Sequence, residues 1–259
     1  MRSIELFPRD DIALASEITK YQRKIGSILY AVVISRPNIA FAASRLARFL
    51  TNPSPIYQTA ADRVLLYLQN TRGLGLQLGG EDDFIVYSDA SFADNTTDRK
   101  SSQAYAMKLF GGLIGWRANK QDTVTTSTTE AELLALSQAA KEALYISRLI
   151  TELTVRLDDQ RIRIQCDNKQ TIRLVTAEIA LLKTKLQHVD IHNHWLRQEI
   201  STRKILVDYT PSQDMLADGF TKALQNNAFK DFVRQLGLID IRERLDQRSL
   251  PELEINQYQ

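Results

Sequence analysis

Four acidic residues stand at places where carboxylates from different segments of this chain can meet. Asp89 and Asp167 end two short β-rich segments. Glu130 opens a long helical pattern, and Asp218 lies in a later one. Carboxylates at strand ends and helix starts can converge above one edge of a sheet, where two Mg²⁺ ions ~3.5–4 Å apart can share their oxygens. Because that arrangement suits phosphoryl transfer, the four carboxylates are candidate metal ligands and catalytic residues.

Each of these carboxylates also has a purely structural explanation. Glu130 fits the capping box Ser127-x-x-Glu130, in which the glutamate closes the first turn of a helix. Glu132 lies about 200° further around the same helix, so only one of the two glutamates can face the sheet edge. The aspartates could be turn residues or solvated surface residues. Taken one at a time, these residues leave both explanations open.

The elements that must position these residues predict an α/β fold. Short β-rich segments occur at 83–89, 104–110, 113–119, 161–166 and 205–209. Helical patterns follow or separate them at 127–153, 168–175, 189–200, 215–224 and 228–238. This order predicts a mixed five-stranded sheet flanked by helices. We divide the chain into a small, mainly helical connection segment (1–79), the sheet domain (80–226), and a C-terminal helix with a polar tail (227–259).

The composition limits the class of protein. With 44% hydrophobic and 25% charged residues among 259, the chain can bury a core and is neither collagen-like nor broadly disordered. Its single cysteine, Cys166, excludes a disulfide scaffold and a cysteine-rich zinc site. The longest apolar run, Ile28 to Ile34, is far shorter than the ~18 residues of a membrane span. We therefore expect a soluble intracellular protein that is not secreted and has no membrane partner.

The charge is unevenly distributed along the chain. Residues 1–79 carry 10 Lys and Arg against 5 Asp and Glu, whereas residues 80–226 carry 18 against 20. The basic excess, which includes Arg45, Arg48 and Arg63, can face a polyanion or can be an ordinary solvated helix surface. Lys120 in the sheet domain is a further candidate for contact with a nucleic-acid backbone.

The motifs around these residues form a specific set when they are taken in chain order. They are Ser88-Asp89-Ala90-Ser91-Phe92-Ala93, Arg99-Lys100-Ser101-Ser102, Ser127-Thr128-Thr129-Glu130-Ala131-Glu132, Cys166-Asp167-Asn168, His188-Val189-Asp190-Ile191 and Leu216-Ala217-Asp218-Gly219-Phe220-Thr221-Lys222. The set resembles the ribonuclease H domain of copia-type (Pseudoviridae) retrotransposon Pol polyproteins. Residues 21–80 are similar to the connection between reverse transcriptase and ribonuclease H in those elements, so the resemblance covers roughly residues 20–238.

This resemblance implies a ribonuclease H-like fold and an endonuclease that cleaves the RNA strand of RNA–DNA hybrids during reverse transcription. It implies a two-metal mechanism with Mg²⁺, for which Mn²⁺ can substitute. The implied ligands are Asp89, Glu130, Asp167 and Asp218, with Glu130 rather than Glu132 in the site. The implied partners are the hybrid and the reverse transcriptase part of the same polyprotein. The implied location is the cytoplasm, in the virus-like particle of the element, or the nucleus.

Several points stay open at this stage. Asn168 can cap a helix or reach the 2′-hydroxyls that distinguish a hybrid from duplex DNA. His188 matches a family motif without an assigned role, and together with His192 it has the i,i+4 spacing of a zinc pair. The sequence departs from the family pattern at Ser91, Asp94, Ala104 and Leu133. The alternative function is therefore an inactive or repurposed nucleic-acid-binding remnant of a Pol polyprotein.

Overall fold

The computed structural model describes residues 9–80, 83–177 and 187–243. The helices are α1 Ala15–Ile34, α2 Ala40–Leu46, α3 Pro55–Asn70, α4 Thr128–Glu152, α5 Lys169–Thr176, α6 Gln187–Ser201, α7 Asp218–Thr221 and α8 Asn226–Gln235. The strands are β1 Leu74–Leu76, β2 Phe84–Ser91, β3 Ser102–Leu109, β4 Gly112–Lys120, β5 Ile162–Cys166, β6 Ile205–Tyr209 and β7 Leu238–Asp240. None of the described helices has the length and apolar character needed to cross a membrane.

The main sheet contains five strands in the order β4-β3-β2-β5-β6. β2, β3 and β4 are antiparallel neighbours, whereas β5 runs parallel to β2 and β6 runs parallel to β5. The predicted mixed sheet with flanking helices, preceded by a helical segment, is therefore confirmed. Because β2 and β5 are parallel, their carboxyl ends lie at the same edge of the sheet.

One face of this sheet is covered by α4 and α6. Val86 of β2 and Ile164 of β5 are fully buried there, against Leu136 of α4 and Leu196 of α6. Small residues along α4, among them Ala139, let the helix lie close to the strands. This packing fixes the first turns of α4 over the edge where β2 and β5 end.

The opposite face is covered by the helical segment at the start of the chain. Tyr21 and Ile28 of α1 are fully buried in the same apolar cluster as Ala106 of β3. Phe232 of α8 joins this cluster from the C-terminal side. The described parts of the three proposed segments thus share one core across the boundaries at residues 79 and 226.

A second sheet of two short strands was not predicted. β1 pairs antiparallel with β7, which brings residues 74–76 next to residues 238–240. The sequence pattern extends the last helix to residue 238, but α8 ends at Gln235 and Gly237 takes a φ of +77°. Glycine reaches this left-handed conformation without strain, so the chain turns there into β7. A short strand followed by a turn is expected at 73–80, where Leu74, Leu76 and Leu78 alternate with Gly75 and Gln77, and β1 lies there. β7 and its pairing with β1 are not expected from the sequence, because the helical pattern extends through residue 238.

Candidate metal centre at the sheet edge

Three carboxylates meet where the parallel strands end. Tyr87 of β2 is paired with Gln165 of β5, and Asp89 and Asp167 each lie two residues beyond that pair. Glu132 reaches the same place from the first turns of α4. One carboxylate oxygen from each of the three residues lies within 4.8 Å of the other two. The predicted convergence of Asp89 and Asp167 thus arises from the register of the parallel strands.

The glutamate in this cluster is Glu132, which corrects the assignment of Glu130. The Oε2 atom of Glu130 accepts hydrogen bonds of 2.7 Å from both the backbone N–H and the hydroxyl of Thr126. Its backbone N–H donates to the hydroxyl of the N-cap residue Ser127, which is one half of a capping box. The carboxylate completes the cap at Thr126, one residue before the N-cap, and not at the backbone of Ser127. Because α4 begins at Thr128, Glu130 lies in the first turn, and its carboxylate turns back to the preceding loop.

Glu132 lies on the other side of the same helix, where it is enclosed by the sheet. The residue is 6% exposed, and its Oε2 atom has no hydrogen-bond partner among the described residues. A buried carboxylate oxygen without a partner is costly unless a cation or a proton compensates it. The sequence carried a signal for this outcome, since the capping box already accounted for Glu130 and only one of the two glutamates could face the sheet.

Asp218 lies beside the cluster, at the start of α7. A carboxylate oxygen of Asp218 accepts a hydrogen bond from the Lys222 ammonium at 2.8 Å, and the same ammonium lies 3.6 Å from Oδ1 of Asp89. The hydroxyl of Thr221 donates to the other oxygen of Asp89. Asp218 therefore neighbours Asp89 both directly and through Lys222, but it is not among the three residues whose oxygens all lie within 4.8 Å of one another.

Three residues around the carboxylates were missed as participants. Thr221 and Lys222 stand in the Leu216-to-Lys222 motif, where their side-chain chemistry was a usable signal. Ser212 gave no such signal, yet its hydroxyl donates to Asp167 at 2.6 Å. The segment between β6 and α8 thus holds Asp89, Asp167 and Asp218 by side-chain hydrogen bonds.

The electrostatics of the cluster are those of crowded, desolvated carboxylates. Burial, followed by repulsion from the Asp218 carboxylate, raises the pKa of Asp89 to about 7. Burial and the neighbouring Asp89 raise the pKa of Glu132 well above its ordinary value. Burial also raises the pKa of Asp218. Asp89, Glu132 and Asp218 therefore lack enough positive charge nearby to stabilise their ionised forms.

These residues fit a divalent cation. Their ligand atoms are all carboxylate oxygens, the donors preferred by Mg²⁺, Mn²⁺ and Ca²⁺. The unpartnered Oε2 of Glu132 and the raised pKa values indicate that positive charge at this place would be stabilised. The residues that could hold a first ion are Asp89, Glu132 and Asp167, and a second ion could be shared by Asp89 and Asp218.

Two of the arginines predicted to contact nucleic acid already have partners within the protein. Arg45 forms an ion pair of 3.0 Å with Asp94, in the connection between β2 and β3. Arg48 donates to the Ser102 hydroxyl at 2.9 Å, and its Nε and Nη1 atoms are buried without a hydrogen-bond partner among the described residues. These arginines join the helical segment to the sheet domain, so they are poor candidates for binding a phosphate backbone.

The other candidates differ in how available they are. Lys120 pairs with Asp98 at 2.6 Å. The side chain of Asn168 accepts hydrogen bonds from the N–H groups of Gln170 and Thr171, which makes it the N-cap of α5. Arg63 is exposed on α3. Of the five predicted contacts, Arg63 has the surface position that a contact with a polyanion needs.

The histidine pair is only partly described. The side chain of His188 lies outside the described part of the structure. His192 lies on α6, where its Nδ1 is 3.0 Å from the hydroxyl of Ser137 on α4. His192 thus contacts the helix that carries Glu132, and the zinc pairing stays untested.

Comparison with known proteins finds similar sequences among retrotransposon polyproteins. No family model matches it. It is 34% identical over 211 residues, 81% of the chain, to the retrovirus-related Pol polyprotein from transposon TNT 1-94 of Nicotiana tabacum. It is 31% identical over 225 residues, 86% of the chain, to the retrovirus-related Pol polyprotein from transposon RE2 of Arabidopsis thaliana. The chain spans only 16% and 15% of the lengths of these relatives.

Among solved structures, the chain is similar to ribonuclease H1 from the halophilic archaeon Halobacterium salinarum. That likeness has a TM-score of 0.39 and 13% sequence identity, and it covers 57% of this chain and 98% of the archaeal one.

Proposed function

Since this chain belongs to the copia-type retrotransposon Pol polyproteins, we propose that it cleaves the RNA strand of RNA–DNA hybrids endonucleolytically during reverse transcription. The observation that carries the proposal is the convergence of Asp89, Glu132 and Asp167 at the sheet edge, with one glutamate oxygen buried and unpartnered. An oxygen-only site of this kind suits hydrolysis of a phosphodiester with divalent ions.

The chain's own residues supply the binding and orientation for this reaction. Asp89, Glu132 and Asp167 would hold one Mg²⁺, with Asp89 and Asp218 sharing a second, and Mn²⁺ would substitute. When bound, the two ions would lower the pKa of the attacking water and neutralise charge on the leaving 3′-oxygen. Thr221 and Ser212 keep Asp89 and Asp167 in place through their hydroxyls. The products would carry a 3′-hydroxyl and a 5′-phosphate.

The hybrid would be recognised by shape and backbone rather than by base sequence. Contacts to 2′-hydroxyls across the minor groove distinguish a hybrid from duplex DNA. Residues 1–79 carry the basic excess that residues 80–226 lack, so this segment would supply attraction for the phosphates. The reverse transcriptase part of the same polyprotein would deliver the hybrid, in the cytoplasmic virus-like particle or in the nucleus.

A direct test uses the purified chain and a 5′-labelled RNA–DNA hybrid, beside duplex DNA and duplex RNA. We expect cleavage of the RNA strand with Mg²⁺ or Mn²⁺ and none with EDTA. The Asp89→Asn variant should be inactive while keeping the circular dichroism spectrum of the wild type. Hybrid binding without cleavage under all metal conditions would contradict the proposal and favour the inactive-remnant alternative.

A further inference from the structure

A lysine ammonium lies between two of the acidic side chains of the candidate metal centre. The Nζ atom of Lys222 is 2.8 Å from Oδ1 of Asp218 and 3.6 Å from Oδ1 of Asp89. These are the two residues that would share the second divalent ion. The cationic group of the protein and the second ion would therefore use the same carboxylates.

The ammonium and a second ion would compete for the oxygens of these two carboxylates. An ion shared by Asp89 and Asp218 needs an oxygen from each residue, and the ammonium already contacts one oxygen of each. Two positive charges a few ångströms apart also repel, most strongly where the surroundings are partly desolvated. Binding of the second ion thus requires one of the partners to move.

The partner free to move is the lysine. Its side chain is 42% exposed, whereas the Asp89 side chain is 1% exposed. Asp89 is also held by the Thr221 hydroxyl and by its place in the middle of the sheet. A flexible lysine with access to solvent can rotate away at little cost, and a buried strand residue cannot.

We propose that Lys222 is the exchangeable counter-ion of the Asp89–Asp218 pair. It neutralises this pair when no divalent ion is bound there, and it lowers the affinity of the pair for the second ion by competing for the same oxygens. This inference rests on the two-ion site of the proposed function. Lys222 would thereby raise the divalent ion concentration at which the second ion binds to Asp89 and Asp218.

The test is calorimetric titration of Mn²⁺ into the metal-free chain, without nucleic acid. Lys222→Met removes the charge and keeps a long side chain, so the weaker Mn²⁺-binding step should tighten by about fivefold, the factor that corresponds to an ion pair worth ~1 kcal/mol. Lys222→Arg keeps the charge and should leave this step near the wild-type value.

A matched control is Lys204→Met. Lys204 also pairs with a carboxylate, Glu199 at 3.7 Å, but it lies just before β6, at the end of the parallel strands away from Asp167. This variant should bind Mn²⁺ like the wild type.

A second measurement follows the melting temperature with EDTA and with saturating Mn²⁺. In EDTA, Lys222→Met should have a lower melting temperature than the wild type, because Asp89 and Asp218 lose their counter-ion. Saturating Mn²⁺ should raise the melting temperature of this variant by more than it raises that of the wild type. Unchanged or weaker Mn²⁺ binding by Lys222→Met would overturn the inference. Mn²⁺ binding by the wild type without hybrid cleavage would instead overturn the proposed function and leave this inference standing.

Discussion

The two glutamates at the start of α4 show how far a shift of two helical positions changes the chemistry of a side chain. Glu130 accepts two hydrogen bonds from Thr126, whereas Glu132 is buried beside Asp89 and Asp167. Glutamine can still accept the hydrogen bonds that Glu130 receives, but it cannot supply the negative charge that a cation requires from Glu132.

We therefore expect Glu132→Gln to lower the rate of hybrid cleavage by at least about 100-fold, since even partners outside the ligand shell can cost that much. Glu130→Gln should retain most of the activity. The measurement is the initial cleavage rate at saturating Mg²⁺. A larger loss in Glu130→Gln than in Glu132→Gln would contradict the assignment of the metal ligand.

The raised pKa of Asp89 predicts a pH dependence of stability in the metal-free protein. The folded pKa of about 7 lies above the ordinary value of 3.8, so folding favours the protonated carboxyl. The stability that Asp89 contributes is fully present below the ordinary pKa and is lost as the pH rises through about 7. An asparagine at position 89 cannot ionise, so the Asp89→Asn variant does not lose this stability as the pH rises.

The melting temperature of Asp89→Asn in EDTA should therefore rise relative to that of the wild type as the pH is increased from about 4 to about 8. Saturating Mg²⁺ should remove or reverse this difference, because only the wild type gains from the ion. A difference that stays constant across this pH range would show that Asp89 is not desolvated in the folded protein.

The arginines of the basic segment also separate into structural and surface residues. Arg45→Glu breaks the ion pair with Asp94 and sets two like charges together, so it should lower the free energy of unfolding by about 1–2 kcal/mol. Arg63 is exposed, so Arg63→Glu should change stability by less than ~0.5 kcal/mol. Urea unfolding of both variants measures this contrast.

Hybrid binding by the same variants tests the surface role. If Arg63 contacts a phosphate, Arg63→Glu weakens hybrid binding. It also lowers the magnitude of the slope of log binding constant against log salt concentration by about 1. An unchanged affinity and slope would show that Arg63 is an ordinary solvated residue that does not contact the hybrid.

At the scale of elements, the position of α7 depends on a close contact with α8. Gly219 of α7 lies against the ring of Phe232, and a Cβ added at this glycine would overlap the ring. Phe232 also packs on Phe220 in an edge-on geometry, with ring centroids 5.2 Å apart. α7 carries Asp218 and Thr221, so the glycine allows the helix to present these residues to the candidate metal centre.

Gly219→Ala should therefore cost about 1–3 kcal/mol of stability through overpacking and should also weaken Mn²⁺ binding. Gly26→Ala is the matched control, because Gly26 lies on the exposed side of α1 with nothing within 4 Å of an added Cβ. That change should stabilise the protein by about 0.5–1 kcal/mol, as alanine does in helix interiors. Equal effects of the two substitutions would mean that the α7–α8 contact does not position the site.

At the scale of the whole molecule, the helical segment and the sheet domain are parts of one packed structure. Tyr21, Ile25 and Ile28 of α1 are fully buried in the cluster that also contains Ala106 and Phe232. Each large apolar side chain buried in this way contributes roughly 1.5–3 kcal/mol. Removal of the helical segment would expose to water the residues that pack against it, among them Ala106 and Phe232.

We expect a chain of residues 80–259 to unfold without a cooperative transition and to bind a hydrophobic dye, because its exposed sheet face has no cover. A chain of residues 9–243 retains both sides of this core and should unfold cooperatively. Thermal scans with dye fluorescence distinguish the two results. A cooperative, dye-free 80–259 chain would show that the sheet domain is independent of the helices.

The sequence alone determined the fold class of this protein, and it identified Asp89 and Asp167, two of the three carboxylates that meet at the sheet edge. The alternation of short β-rich and helical segments predicted the mixed sheet because side-chain periodicity follows local backbone geometry. The convergence of Asp89 and Asp167 was also predictable, since each ends a strand and parallel strands bring their carboxyl ends to one edge of the sheet.

Only the tertiary structure decided which groups complete the site and how the segments join. The choice of Glu132 over Glu130 depends on which face of α4 packs on the sheet, and that rotation is set by contacts distant in sequence. The placement of Lys222 between Asp89 and Asp218 joins residues more than a hundred positions apart. Arg45 and Arg48 likewise fitted a polyanion-binding surface until their partners were known, which are Asp94 in the β2–β3 connection and Ser102 at the start of β3. Local patterns specify local conformation, whereas burial and ion pairing depend on neighbours that only the folded chain brings together.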